Sequence, residues 1–431
     1  MLTLDARDEA MLGGAEGGAA ALAMRVVVRL GEILGAEKLI DISSAHIDSC
    51  LYHGPVSVDF AGRLVELGGA VAVPTTLNVG SVDLLHPGLV RSSTEKERGI
   101  RDGGRALMQA YTDLGATATW TCAPYQLPQR PAFGEHIAWA ESNAIVFANS
   151  VLGARTHRYG DFVDICAALT GRAPLTGLHL DENRRGQVVI DCSGLSPELI
   201  AGDVLYPVLG FIAGRLAGQR VPVFVGLPDS VSEDRLKALG AAAASSGGVG
   251  LFHIVGRTPE APTLAAALHD GAAEETHVLA ASDIRRARQQ LCTIIDGTID
   301  AVSIGTPHAS YEESVALAGK LADGPPISPE VTFYLNTNRS VLARLDDAGH
   351  RASLEDAGVT LVIDTCTYVT SILRPSQRVV MTNSAKWANY APANIGVDVV
   401  LGSLDECIES ARTGRVHFLD ATGLSESGSR G

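Results

Sequence analysis

The chain has 431 residues, 46% of them hydrophobic and 19% charged, with a formal net charge of −15. That acidity leaves no basic stripe for nucleic acid, and no apolar run reaches the roughly 18 residues of a membrane span. The length exceeds one ordinary core, so two or three α/β units of roughly 100–200 residues each are expected, serving small molecules or other proteins.

The opening MLTLDARDEAML is acidic where a secretory leader would be basic, so a cytoplasmic chain is expected, its seven scattered cysteines reduced. Two amphipathic helices should occupy the first segment. They end near GAEKLIDISSAH, where Leu39, Ile40 and Ile42 form an apolar run that turns polar at Ser43 and Ser44. The same pattern of a strand delivering a polar loop recurs at 68–80 (GGAVAVPTTLNVG), 115–125 (GATATWTCAPY), 143–153 (NAIVFANSVLG), 187–194, 221–228, 248–256, 301–310 (AVSIGTPHAS), 331–338 (VTFYLNTN) and 359–369 (VTLVIDTCTYV). Alanine-rich helical stretches separate most of these runs. Strands alternating with helices predict an α/β protein with mostly parallel sheets covered on both faces. The polar stretch 181–186 and the Pro/Gly-rich 324–329 are possible subdomain boundaries, and the tail SESGSRG is expected to fray.

In parallel sheets ligands gather beyond the carboxyl ends of the strands, which is where SSAH, TTLN, TCAPY, GTPHAS and DTC fall. Cys122 and Cys366 end strand-like runs inside polar loops and are the leading thiol ligands, with core packing the equal alternative for a cysteine. Cys50, beside His46, Asp48 and His53, is a third candidate. Cys166, Cys192, Cys292 and Cys407 read as packing residues. No C-x-x-C pair occurs, so a zinc ribbon or ferredoxin-type site is not expected; single thiols from distant loops fit a catalytic iron with an open position. His308 could move protons or hold a carboxylate, or it could only brace its loop. Glu141, Ser142 and Asn143 lie at one junction, where capping is the plain reading. Arg155 and Arg158 could grip a carboxylate, although a salt bridge to Asp161 is the ordinary use. Lys386 sits in a polar loop after the strand RVVMT.

With SAHIDSCLYHG, VPTTLNVGSVDL, CAPYQL, GEHIAWAESNAIVFANSVLGARTHRYGDF, GTPHAS, DTCTYV and NSAKWANYAP in order from about residue 5 to 395, the chain resembles the aconitase X branch of the aconitase superfamily. It looks closer to the bacterial members, which dehydrate cis-3-hydroxy-L-proline, than to the archaeal ones, which dehydrate mevalonate 5-phosphate. The resemblance implies an aconitase-like, multi-subdomain fold of three-layer α/β/α units over residues 1–395, with 396–431 adding a strand, a helix and the tail. It implies a hydro-lyase carrying iron or an iron–sulfur cluster, 2Fe-2S or 4Fe-4S, on three cysteines. Cys122 and Cys366 match clearly. Where other members have a cysteine before the Pro-His of GTPHAS this chain has Thr306, so Cys50 is the expected third ligand and Cys292 the fallback.

The resemblance also implies substrate held by Ser44, Thr75, Thr76, Asn78, Ser142, Asn143 and Arg155, with His308 and His46 at the chemistry and Lys386 on the substrate carboxylate. The small swivelling domain of aconitase-type enzymes is expected on a separate small subunit. The alternatives are the same chemistry on mevalonate 5-phosphate, a redox-sensing cluster protein without catalysis, and a structural large subunit.

Overall fold

Residues 2–419 are described by the structure, a computed structural model; the tail expected to fray lies outside them. The chain divides into two units, one of Met1–Arg185 with residues 250–252 and 258–260, the other of the remainder.

In the first unit, strands β1 (Leu39–Asp41), β2 (Ala45–Ile47), β3 (Thr75–Leu77), β4 (Ala138–Trp139) and β5 (Arg172–Pro174) form two small sheets. One is antiparallel, β1 with β5; the other is parallel with order β3-β2-β4. Helices Gly18–Ile33, Pro55–Glu66, Glu95–Asp113 and Val163–Thr170 supply the apolar cover, and Met24, Val27, Leu64, Leu107, Tyr111 and Ile165 are all fully buried in one core. The start of Glu95–Asp113 shows why its sequence folds locally: Thr94 accepts from the Glu97 amide while the Glu97 carboxylate takes the Thr94 amide, a reciprocal cap.

Three expected strands of this unit differ. Residues 143–153 are helical, as Ser142–Phe147 continued by a π-turn at Ala148–Leu152, because Glu141 caps the first turn by accepting from the Ala144 amide. A run apolar on every side reads alike as a buried strand or a buried helix. In 68–80 only Thr75–Leu77 pairs. In 115–125 pairing is reduced to a bridge between Thr117 and Thr76.

The second unit contains two parallel sheets. Strands β6 (Val188–Asp191), β7 (Pro222–Val225), β8 (His253–Ile254) and β9 (Glu275–Val278) lie in the order β8-β7-β6-β9. Strands β10 (Ala301–Ile304), β11 (Thr332–Asn336), β12 (Val359–Val362), β13 (Val379–Thr382) and β14 (Asp398–Leu401) lie in the order β12-β11-β10-β13-β14. Residues 324–329 connect helix Tyr311–Ala322 to β11 inside this second sheet, while 181–186 meets the passage between units at Arg185. The strand and helix after residue 395 are an edge strand of the sheet and helix Leu404–Thr413 packed on it, with Val400 and Cys407 fully buried in its core.

Candidate active site and metal donors

Beyond the carboxyl ends of β2, β3 and β4 the first unit collects Asp48, Asn78 and Glu141. Asn78 Nδ2 donates to Asp48 Oδ1. Burial above all, then repulsion from Glu141, Asp161 and Asp164, raises the Asp48 carboxyl to about 7, against the hydrogen bond from Asn78. Sequence reading passed Asp48 over as a neighbour of Cys50; its crowding by acids distant in sequence is a tertiary property.

Cys122 is held by a run that shadows β3 without completing a ladder. The Thr117 amide donates to Thr75 O at 2.8 Å and the Thr121 amide to Leu77 O at 3.0 Å, and between them the Thr119 hydroxyl takes the Leu77 amide at 3.0 Å. Trp120 adopts φ +45°, a left-handed conformation rare outside glycine. Asn143 then fixes the Cys122 carbonyl at 2.8 Å, donates also to Glu141, and accepts from the Tyr125 hydroxyl at 2.5 Å.

The other expected residues of this unit have definite partners. Ser44, half-buried, precedes β2, and its carbonyl accepts from the Ala138 amide at 2.9 Å. His46 is fully buried with Nδ1 2.8 Å from Thr76 Oγ1, and burial lowers its pKa to about 3, so a neutral imidazole bridges two strands. Thr75 donates to Val73 O at 2.8 Å, and Ser142 Oγ lies 3.3 Å from Glu141 Oε1. Arg155 donates to His179 O at 3.0 Å and pairs with Asp181, so the expected carboxylate grip closes on its own chain, and on Asp181 rather than Asp161.

In the second unit the ends of β10, β11, β12 and β13 carry His308, Asn336, Cys366 and Lys386, all buried. Gly305 has φ +84°, and a Cβ there would meet Asn336 O at 2.1 Å, so the His308 loop requires glycine at its start. Asn336 couples the loops: its Nδ2 donates to Ile304 O at 2.6 Å and Ser303 Oγ at 3.2 Å, its Oδ1 accepts from the Thr367 amide at 3.1 Å, and its carbonyl accepts from the Ala309 amide at 2.9 Å. Two residues before Cys366, Asp364 takes φ +63° and receives Arg339 Nε and Nη2, each at 2.7 Å. Both leading cysteines thus follow by two residues a non-glycine in the left-handed region, backbone that neighbouring contacts must hold.

A cavity of about 290 Å³ lies beside the His308 loop, lined by Lys237, Asp234, Glu313, Thr306 and Ser384 among others. Buried Lys237 pairs with Asp234 at 3.0 Å and with Glu313, and reaches the His308 carbonyl at 3.4 Å. Neither Asn336 nor Lys237 was expected: the first reads as a strand end, the second as one lysine in an alanine-rich helix. We expect Asn336→Ala to lower unfolding stability by about 3 kcal/mol, because several buried hydrogen bonds go and their partners stay desolvated. Denaturant titration would show it, and a change within experimental error would deny the coupling role.

Cys50 and Cys292 both have backbone partners. Cys50 Sγ lies 3.4 Å from both Ile47 O and Asn78 O, so its S–H donates to backbone, and burial with nearby Asp48 raises its pKa well above the ordinary thiol value. Cys292 Sγ is 3.4 Å from Arg288 O and accepts from the Leu401 amide at 3.2 Å. The buried donors suited to a metal are instead Cys122 in the first unit and His308 with Cys366 in the second. The last two approach within 4.8 Å.

Family models match three successive stretches: aconitase X first domain over residues 1–182, second domain over 186–289 and third domain over 299–413. The chain is 44% identical over 419 residues to a cis-3-hydroxy-L-proline dehydratase of Pseudomonas aeruginosa, covering 96% of this chain and 70% of that one. A phosphomevalonate dehydratase large subunit of Methanothermobacter thermautotrophicus is 37% identical, covering 92% and 96%. The crystal structure of Thermococcus kodakaraensis aconitase X in its holo-form superposes with TM-score 0.84 at 32% identity, covering 95% of this chain and all of that one.

Proposed function

Because the chain belongs to the aconitase X family, we propose that it is the large, catalytic part of a hydro-lyase that dehydrates cis-3-hydroxy-L-proline to Δ1-pyrroline-2-carboxylate. The observation that carries the substrate is identity of 44% and 42% to two cis-3-hydroxy-L-proline dehydratases, against 31–37% to the phosphomevalonate dehydratase large subunits. The proton leaves Cα, hydroxide leaves C3, and the two depart as water. The enamine left behind tautomerises to the ring imine.

An iron–sulfur group fits the donors: buried thiols from Cys122 and Cys366 are soft ligands, and each sits on backbone fixed by contacts of its own unit. When bound, its iron would act as Lewis acid toward the leaving hydroxide. The chain's residues do the rest. Lys386 binds the substrate carboxylate, with Asn78, Ser142 and Asn143 ordering the ring substituents. Asp48, raised to about 7, can exchange a proton near neutral pH. Anaerobic reconstitution with the small subunit, followed by turnover of cis-3-hydroxy-L-proline and mevalonate 5-phosphate, tests the reading; turnover of the second alone, or of neither with the cluster intact, would overturn it.

Asp48 also makes a pH-dependent stability claim. Its folded pKa of about 7 lies above the ordinary 3.8, so its favourable contribution is complete below about pH 4 and is lost as pH rises through 7. Asp48→Asn should therefore raise stability at pH 8 by on the order of 2 kcal/mol, a difference that vanishes near pH 4. Turnover should fall by roughly a hundredfold or more. Paired thermal melts at the two pH values check the sign; destabilisation at pH 8 with none at pH 4 would contradict it.

A further inference from the structure

We propose that His308, through Nδ1, is a protein ligand of the iron–sulfur group beside Cys366; the inference rests on the reading that such a group is bound. His308 is fully buried, and its Nε2 lies 3.0 Å from the Thr365 carbonyl oxygen. A carbonyl can only accept, so Nε2 carries the hydrogen and the lone pair is on Nδ1. An imidazole whose far nitrogen donates to a backbone carbonyl is the arrangement that fixes the tautomer of metal-ligating histidines.

The reach is right. A ring nitrogen of His308 lies within 4.8 Å of Cys366 Sγ, while ligands at about 2.0–2.3 Å from one ion can be at most about 4.5 Å apart. A small side-chain adjustment closes the difference. The loops that carry the two donors share Asn336, which accepts from the Thr367 amide and donates to Ile304 O, so one side chain anchors both. Lys237 braces the His308 carbonyl from the other side.

The remaining thiols offer no equivalent. Cys50 donates to backbone carbonyls, and Cys292 faces Arg288 O and the Leu401 amide. Thr306 is buried with its hydroxyl oxygen unpartnered, but an un-ionised alcohol is a weak ligand beside imidazole. Ligation also changes the role assigned to His308: a nitrogen bound to iron does not carry protons. Replacing one thiolate by a neutral ring raises the reduction potential of a cluster.

The test is pulsed electron paramagnetic resonance on the anaerobically reconstituted, reduced holoprotein, labelled with ¹⁵N-histidine, together with iron analysis of variants. Strong coupling to a directly bound histidine nitrogen is expected, and it should disappear in His308→Cys while iron is retained. His308→Ala should lower iron per chain by about tenfold, and Cys50→Ser should leave iron and coupling unchanged. A fully loaded wild type without directly bound nitrogen, or one whose coupling survives in His308→Cys, overturns the histidine ligand while leaving the cluster standing. A wild type that binds no iron overturns both readings.

Discussion

Serine in place of Cys122 or of Cys366 is expected to remove the iron-dependent visible absorbance and to lower turnover by about a thousandfold or more, whereas Cys166→Ser leaves both near wild type. The contrast follows from where the three thiols sit. Cys166 lies within helix Val163–Thr170, and burial first, with Asp164 second, holds its thiol protonated. Cys122 and Cys366 lie instead in irregular segments, the second past the end of β12, each after a residue in the left-handed region and each anchored, by Asn143 on the Cys122 carbonyl and by Arg339 on Asp364. Serine keeps the volume and loses the soft thiolate, so a loss of iron in a folded variant reads ligation rather than packing. The measurement is iron per chain and absorbance after anaerobic reconstitution, with thermal melts to show the fold intact. Full iron retention in either variant would remove that residue from the ligand set.

What the sequence discloses about this fold depends on how local the cause is. The strands of the five-stranded sheet were legible because each is a short β-branched run ending in polar loop residues, and a strand buried on both faces writes that pattern without help from elsewhere. The same logic failed at 143–153, where continuous apolarity describes a buried helix equally well and the deciding contact is the Glu141 cap. Cys122 and Cys366 drew notice for their place after apolar runs, although only the run before Cys366 is a strand. The surroundings of Cys50 were not legible: its motif is at a strand end, yet the direction of its side chain, toward the Ile47 and Asn78 carbonyls, is set by β2 and β3 together. Asp48, Asn336 and Lys237 owe their importance to partners 30 to more than 100 residues away, and no pattern in one segment can announce that.

Purified, iron-replete chain is expected to turn over cis-3-hydroxy-L-proline at no more than about a hundredth of the rate reached with a small subunit present. Two observations motivate this. The chain covers 96–99% of the phosphomevalonate dehydratase large subunits but only 69–70% of the two cis-3-hydroxy-L-proline dehydratases, which carry further length of their own. The candidate chemistry, moreover, needs shelter: removing a proton α to a carboxylate builds carbanion character, and water around it screens the charges of Lys386 and of iron that would stabilise it. Here the donors and polar groups sit in loops, and a covering domain would add a dry boundary to them. The swivelling domain implied by the aconitase resemblance is such a cover. Co-expression of a small subunit, followed by turnover and water-exchange measurements on the complex and on the chain alone, separates the cases. If the chain alone matches the complex in rate, the shelter is already built into these residues and the two-subunit reading is wrong; if it binds substrate with ordinary affinity but releases it unreacted, the missing part acts on the chemical step, since binding and closure then come from different chains.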